Sequence, residues 1–260
     1  MLQQMPTPLL YGLVTIVGAA IGSFITLITY RLPRDEPVGM TRSRCPACFT
    51  TLGVRDLFPV LSWVLARGRC RHCQVKVSAR YPLTELACAL GGLFVVIHYG
   101  PTLEALAIAG LWWSIVALTV TDLENYIILD EVQISIGVFG VLYGYARNVD
   151  AADAAIAACA GAAIGLTLKY GFLYLRNKDG LGLGDVKFLF VAGVWLASAA
   201  NFIPFLFYSG LMGIVFGTVW QRLTDNARFP FGPALAASLL LCVVSPQTAA
   251  GFWQLYGLLR

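Results

Sequence analysis

The sequence predicts an all-α membrane protein: a polytopic bundle of about eight transmembrane helices with one small cytoplasmic tetracysteine domain. Three observations predict it. Hydrophobic residues make up 58% of the 260 residues and charged residues 12%, where soluble globular domains average about 45–50% and about 25%. The apolar residues fall in long runs nearly free of charge, as a hydrocarbon solvent requires. The longest polar segment between those runs holds two CxxC pairs. A water-soluble chain of this length has no core large enough to hide so much apolar surface.

The first run, Leu9 to about Tyr30, is too long for the apolar part of a signal peptide and has no basic residue ahead of it, so it reads as a retained helix. Apolar runs place spans at roughly 8–30, 82–99, 103–121, 127–146, 152–175, 185–200, 202–220 and 230–257, the last interrupted at Ser245-Pro246. Between the first two spans lie Arg31, Arg34, Arg42, Arg44, Arg55, Arg67, Arg69, Arg71, Lys76 and Arg80, against only Asp35, Glu36 and Asp56. The positive-inside rule puts this segment in the cytoplasm. Alternation then makes the links near 122–126, 176–184 and 221–229 cytoplasmic, in agreement with Arg176, Lys178, Arg222 and Arg228, and leaves both termini outside with Arg147 and Arg260. The chain thus divides into a first transmembrane helix (1–30), a cytoplasmic tetracysteine domain (31–81) and a transmembrane remainder (82–260). The Ala-rich stretch 151–163 reads as a close-packing helix.

Cys45-Pro-Ala-Cys48 and Cys70-Arg-His-Cys73 stand 21 residues apart. Two such knuckles can bring four thiolates into a tetrahedron around zinc. A cytoplasmic setting disfavours disulfides, so a zinc-ribbon-like domain is the expectation, with the metal supplying folding energy that a core of some 50 residues lacks. A zinc of this kind ordinarily holds its loop together and takes no part in chemistry; His72 is a bystander beside four cysteines. Cys88, Cys159 and Cys242 sit singly in apolar runs, as small membrane-core residues.

Acidic residues within or beside a span are costly and point to function. Asp122 closes the third span in Thr121-Asp122-Leu123-Glu124, and Asp185 opens the sixth in Gly180-Leu181-Gly182-Leu183-Gly184-Asp185-Val186-Lys187. The topology puts both at the cytoplasmic interface, so two helices can present one carboxylate each to a shared cleft. Two carboxylates in one site do not both ionise readily. The ionised one can act as general base on a water, while the protonated one polarises a scissile carbonyl and then protonates the leaving amine. Either aspartate alone is more simply a solvated helix end. The glycines before Asp185 allow close approach of a peptide backbone. Glu124, Asp130 and Glu131 lie near Asp122; Asp130 is a candidate supporting partner or a contact for a substrate lysine. Glu85 is a candidate to pair with a loop arginine or to be a snorkelling interfacial charge, and Glu104, Asp150 and Asp153 are expected to be solvated on the outer side.

Taken in order, these segments resemble the type IV prepilin peptidases that also N-methylate their product, the prepilin leader peptidases of the GxGD aspartic class. Gly22-Ser23-Phe24 with Tyr30-Arg31-Leu32-Pro33 is similar to the first-helix signature. Arg44-Cys45-Pro46-Ala47-Cys48 and Gly68-Arg69-Cys70-Arg71-His72-Cys73 resemble the cysteine knuckles. Pro59-Val60-Leu61-Ser62-Trp63 and Ser78-Ala79-Arg80-Tyr81-Pro82-Leu83-Thr84-Glu85 resemble the segments between and after them. Asp122-Leu123-Glu124 and Gly182-Leu183-Gly184-Asp185-Val186-Lys187 resemble the two aspartate motifs, and Phe231-Gly232-Pro233 the last-helix motif. The resemblance implies cleavage of the basic leader of prepilins or pseudopilins after a glycine at the cytoplasmic membrane face, then methylation of the new N-terminal residue, usually phenylalanine, from S-adenosylmethionine. It implies catalytic roles for Asp122 and Asp185, zinc on Cys45, Cys48, Cys70 and Cys73, residence in the bacterial inner membrane, and no nucleic-acid partner. The remainder 82–260 is then the transmembrane aspartyl peptidase domain.

Two positions depart from the family pattern: Leu129 stands where proline usually precedes Asp130, and Thr26 where asparagine is usual. No glycine-rich nucleotide fingerprint follows a strand, so an adenosylmethionine site would be built from the 31–81 loop and nearby helix ends. A general intramembrane protease of the presenilin type shares the GxGD string but neither the cysteine loop nor the first-helix signature. A non-catalytic zinc-bearing scaffold would tolerate loss of either aspartate, and a transporter would show an inverted repeat, of which the sequence gives no sign.

Overall fold

The computed structural model describes residues 6–39, 42–177, 180–224, 228–245 and 252. Its elements are helices: α1 (Thr7–Arg31), a short α2 (Leu61–Leu65), α3 (Arg80–Tyr99), α4 (Leu103–Asn125), α5 (Asp130–Ala146), α6 (Ala151–Arg176), α7 (Leu183–Leu196), α8 (Phe202–Thr224) and α9 (Gly232–Val244). Each of the eight expected spans holds a helix among the described residues, α2 being an addition inside the polar loop. Among the described residues, five helical segments are long and apolar enough to cross a membrane: Thr7–Arg34, Arg80–Tyr99, Leu103–Asn125, Ala151–Arg176 and Ala199–Thr224. The chain is an all-α, polytopic membrane protein.

Several boundaries differ from the sequence reading for local reasons. α5 starts at Asp130 rather than 127, because Leu129 is extended (φ −68°, ψ 138°) and caps the helix; Asp130 and Glu131 fill its first turn, where the helix dipole favours negative charge. α7 stops at Leu196 rather than 200. Ala197 turns left-handed (φ 52°) and closes the helix onto Gly193 O, while the Asn201 side chain donates to Leu196 O at 2.8 Å. Fourteen residues rise about 21 Å, short of a hydrocarbon core of about 30 Å. The continuation of the last span from Pro246 to 257 lies, apart from residue 252, outside the described residues, as do Lys178 and Arg260.

The chain forms two compact units, Met1–Ala105 and Leu106–Arg260. In the first, α1 packs along α3 through glycines. A Cβ at Gly18 would come within 2.8 Å of Cys88 O, and one at Gly22 within 2.6 Å of Glu85 Cα. Thr26 donates to Ser23 O of its own helix (2.7 Å). Above these helices, Arg80 reaches Thr29 Oγ1 (2.5 Å), and Trp63 of α2 donates to Val77 O (3.0 Å). Trp63 lies so close to Gly68 (φ 66°) that a Cβ there would meet its ring at 2.8 Å.

In the second unit α7 is the central element, flanked by α5 and α6 and touched by α9. Small residues again set the distance. A Cβ at Gly161 would collide with Leu189 O of α7, and one at Gly193 with Ala157 O of α6. Trp195 crosses from α7 to α5, donating to Ile136 O (2.9 Å). Phe188, Phe202, Phe205, Ile136, Leu235 and Leu239 are fully buried, so α5, α7, α8 and α9 all contribute side chains to an apolar core.

Candidate active site and metal centre

The two CxxC pairs sit in matched turns of the first unit. Arg44 and Thr51 form one antiparallel bridge, Arg69 and Lys76 the other. In the first turn Cys45 N–H donates to Thr50 O and Phe49 N–H to Cys45 O; in the second Cys70 N–H donates to Val75 O and Gln74 N–H to Cys70 O. Phe49 (φ 56°) and Gln74 (φ 60°) occupy equivalent left-handed positions, so the knuckles repeat one backbone path 25 residues apart.

The sulfurs of Cys45, Cys48, Cys70 and Cys73 all lie within 4.8 Å of one another. Sulfurs bound about 2.3 Å from one zinc stand about 3.8 Å apart at the edges of a tetrahedron, and Cys45 Sγ to Cys73 Sγ is 3.8 Å. The donor set therefore fits a tetrahedral, thiolate-bound ion. The Thr50 hydroxyl, and then its amide, draws the Cys48 thiol down to about 6. The backbone amides of Cys73 and His72 lower Cys70. At Cys73 the Val75 amide also pulls down, but desolvation and the thiols of Cys48, Cys70 and Cys45 outweigh it and push the group up to about 11. Four thiolates around one point repel one another, and a divalent cation at their centre relieves that repulsion.

Glu85 does not pair with a loop arginine. It is 8% exposed, and its Oε2 accepts the Val60 N–H at 2.6 Å. Val60 is the middle residue of a tight turn closed by Leu61 N–H to Pro59 O, at φ 61° and ψ −51°. A β-branched residue is strongly disfavoured there, so the buried carboxylate holds a strained turn.

In the second unit, Asp122 sits in the last turns of α4 and Asp185 in the first turn of α7. Asp122 is 5% exposed, and its Oδ2 accepts the Gly232 N–H at the start of α9 (2.7 Å). Glycine leaves room for this contact: a Cβ at 232 would lie 2.7 Å from that same oxygen, which would then have to shift. Asp185 is half-buried, and its Oδ2 reaches back to the Gly182 N–H (3.1 Å). The two residues are 63 positions apart in sequence, yet the Asp122 carboxylate acts electrostatically on Asp185, as does the Lys169 ammonium of α6. Lys169 also donates to Leu181 O (3.0 Å) and so ties down the loop before Asp185. Each aspartate binds one backbone N–H through Oδ2 and keeps Oδ1 without a protein donor among the described residues. That arrangement orients a carboxylate and leaves an oxygen for water or substrate.

Asp130 is occupied by Lys187, whose Nζ meets both carboxylate oxygens (2.7 and 2.8 Å) and ties the start of α5 to α7. Sequence reasoning gave no role to Gly232 beyond its motif, nor any to Lys169. The signal for Lys169 was present: a lone cation inside an otherwise apolar run. Nothing local could have shown that the N–H of residue 232 would meet residue 122.

Residues 16–99 match the model of the bacterial peptidase A24 N-terminal domain, and residues 108–218 that of the type IV leader peptidase family. Curated relatives named prepilin leader peptidase/N-methyltransferase include one from Aeromonas salmonicida (strain A449), 34% identical with 88% of each chain covered. One from Aeromonas hydrophila is 34% identical, again with 88% of each covered, and one from Stutzerimonas stutzeri is 30% identical with 95% of each covered. No solved structure matches the chain. With similarity of this extent to full-length relatives, across both units, the chain belongs to the type IV leader peptidase family.

Proposed function

We propose that this protein is a membrane aspartic endopeptidase that removes the leader from type IV prepilins or pseudopilins and methylates the N-terminal residue so released. The observation that carries the reading is the carboxylate pair: Asp122 from α4 and Asp185 from α7 share one electrostatic neighbourhood, each fixed through one oxygen by a backbone N–H. With a peptide bond between them, the ionised carboxylate takes a proton from water as the water oxygen attacks the scissile carbonyl carbon. The protonated carboxylate donates its hydrogen bond to the carbonyl oxygen. Collapse of the tetrahedral intermediate breaks the C–N bond, the amine nitrogen takes up a proton, and the leader departs as a carboxylate. No side chain forms a covalent bond in this sequence.

Methylation requires a methyl donor as co-substrate; S-adenosylmethionine transfers its sulfonium methyl to the new amine. The described residues hold isolated bridges and no strand, which supports a donor site unlike the strand–glycine turn–helix of a Rossmann domain. Cys45, Cys48, Cys70 and Cys73 hold one zinc that fixes the 31–81 domain, while the helices of 82–260 carry the peptidase. The basic residues of 31–80 support a cytoplasmic loop in the inner membrane, with both termini on the other side. Its partners are prepilin or pseudopilin substrates and the lipid bilayer.

The test is incubation of the purified protein, in lipid, with a prepilin and S-adenosylmethionine, read by mass spectrometry. Release of the leader and a mature chain heavier by one methyl group is expected. An uncut prepilin overturns the peptidase reading, and a cut but unmethylated product overturns the second activity.

A further inference from the structure

Five exposed apolar residues fall within nine positions of the polar loop: Leu57, Phe58, Leu61, Val64 and Leu65. α2 turns Trp63 inward, where it donates to Val77 O. Leu61, Val64 and Leu65 share its other face at helical spacing. A water-facing surface rarely gathers so many apolar side chains, and such patches mark contact with a membrane or with another protein.

The turn that opens α2 fixes where this patch lies. The Val60 N–H is held by Glu85, the sixth residue of α3. Glu85 Cα stands beside Gly22, nine residues before the end of α1 at Arg31. Nine residues are about 13 Å of helix, more than a Glu side chain leaning toward the start of its own helix recovers. The turn is therefore held against the flank of α1 and α3, short of their ends, and both helices are long and apolar enough to cross a membrane. At that level an outward-facing side chain is surrounded by lipid.

The charges complete the pattern. Arg55 and Arg67, both exposed, bracket the patch. An apolar face with cations at its margins is the composition of an element lying in the interface of a bilayer with anionic headgroups. A soluble acidic protein would match the arginines, but it would have to displace the lipid that the flanking spans bring against the patch.

We propose that residues 57–65 form an interfacial anchor: Phe58 and the outer face of α2 insert among lipid chains at the rim of the bilayer, and Arg55 and Arg67 bind anionic lipid headgroups. The experiment takes the full-length protein with a benzophenone amino acid in place of Phe58, Leu61 or Leu65. It is reconstituted into vesicles of equal parts phosphatidylglycerol and phosphatidylcholine and irradiated, and the adducts are identified by mass spectrometry. Each position is expected to give lipid adducts as its main product. Phosphatidylglycerol is expected to be over-represented by up to about five-fold, the gain that one arginine near an anionic surface yields. Arg55→Gln together with Arg67→Gln is expected to bring that ratio back toward one while lipid adducts persist; a ratio within one sample does not depend on how much protein folded. Absence of lipid adducts at all three positions, or adducts to protein in their place, overturns the insertion. An even split between the two lipids while both arginines are present overturns the headgroup contact.

Discussion

The polar loop of the first unit and the carboxylate pair of the second are ordered by different means. Between residues 42 and 79 little apolar surface is buried: Val54 is 77% exposed, Phe58 58% and Leu65 74%. Order there comes from point contacts, namely four converging sulfurs, two backbone bridges, and a buried carboxylate on one strained turn. The aspartates instead rest on packed helices, with Phe188, Leu189 and Leu235 at most 2% exposed and glycines bringing α6 onto α7. A loop held by a few strong links fails when one link is cut, whereas a packed bundle spreads the loss over many contacts.

Metal removal breaks that contrast most sharply. A structural zinc contributes apparent binding energy on the order of 10 kcal/mol to such a domain, and thiolate ligands compete with protons, so the metal is held less tightly as pH falls. Chelation, or replacement of Cys45, Cys48, Cys70 and Cys73 by Ser, should abolish stoichiometric zinc and open the loop to trypsin at Arg44, Arg55 and Arg67. The helices from α4 onward should stay resistant. Equal resistance of the loop with and without metal would show that something else orders it.

A smaller effect is expected at Glu85. Glu85→Ala strands the half-buried Val60 N–H and should destabilise the first unit by about 1 kcal/mol, while Glu85→Gln keeps an acceptor and loses less. Hydrogen exchange at the Val60 amide reads this directly; unchanged protection in Glu85→Ala would mean the turn holds itself. Smaller still is Gln133→Leu in the second unit. Gln133 is 3% exposed, and both its amide atoms lack a partner among the described residues. Replacing an unpaired polar group by an apolar one of similar shape is near neutral or stabilising. A drop in thermal stability would mean that an ordered water satisfies the amide.

Much of this was legible in the sequence because it is written in local patterns. The apolar runs gave the helices, since every backbone group in hydrocarbon must be paired within its own segment. The CxxC spacing gave the four-sulfur cluster. The cost of an acid in an apolar run singled out Asp122 and Asp185. The partners were not legible, because they are set by packing between distant elements. Glu85 was only one candidate partner for a loop arginine, and its acceptor role toward the Val60 N–H is set by how α3 packs against that turn. Gly232 looked like a helix start, yet its missing side chain is what lets α9 approach Asp122. The end of α7 followed from Ala197 turning left-handed, a choice that an apolar run does not encode.

The pairing of the aspartates is tested most directly by prepilin cleavage rates for Asp122→Asn, Asp185→Asn and the double variant, each in lipid and normalised to folded protein. Acid–base groups of this kind contribute about 10²- to 10⁴-fold, and groups that act as one unit are not additive. Each single variant should therefore fall by at least that much, and the double variant should fall little further. A single variant that cuts at the wild-type rate, or losses that multiply in the double variant, would contradict a shared two-carboxylate site.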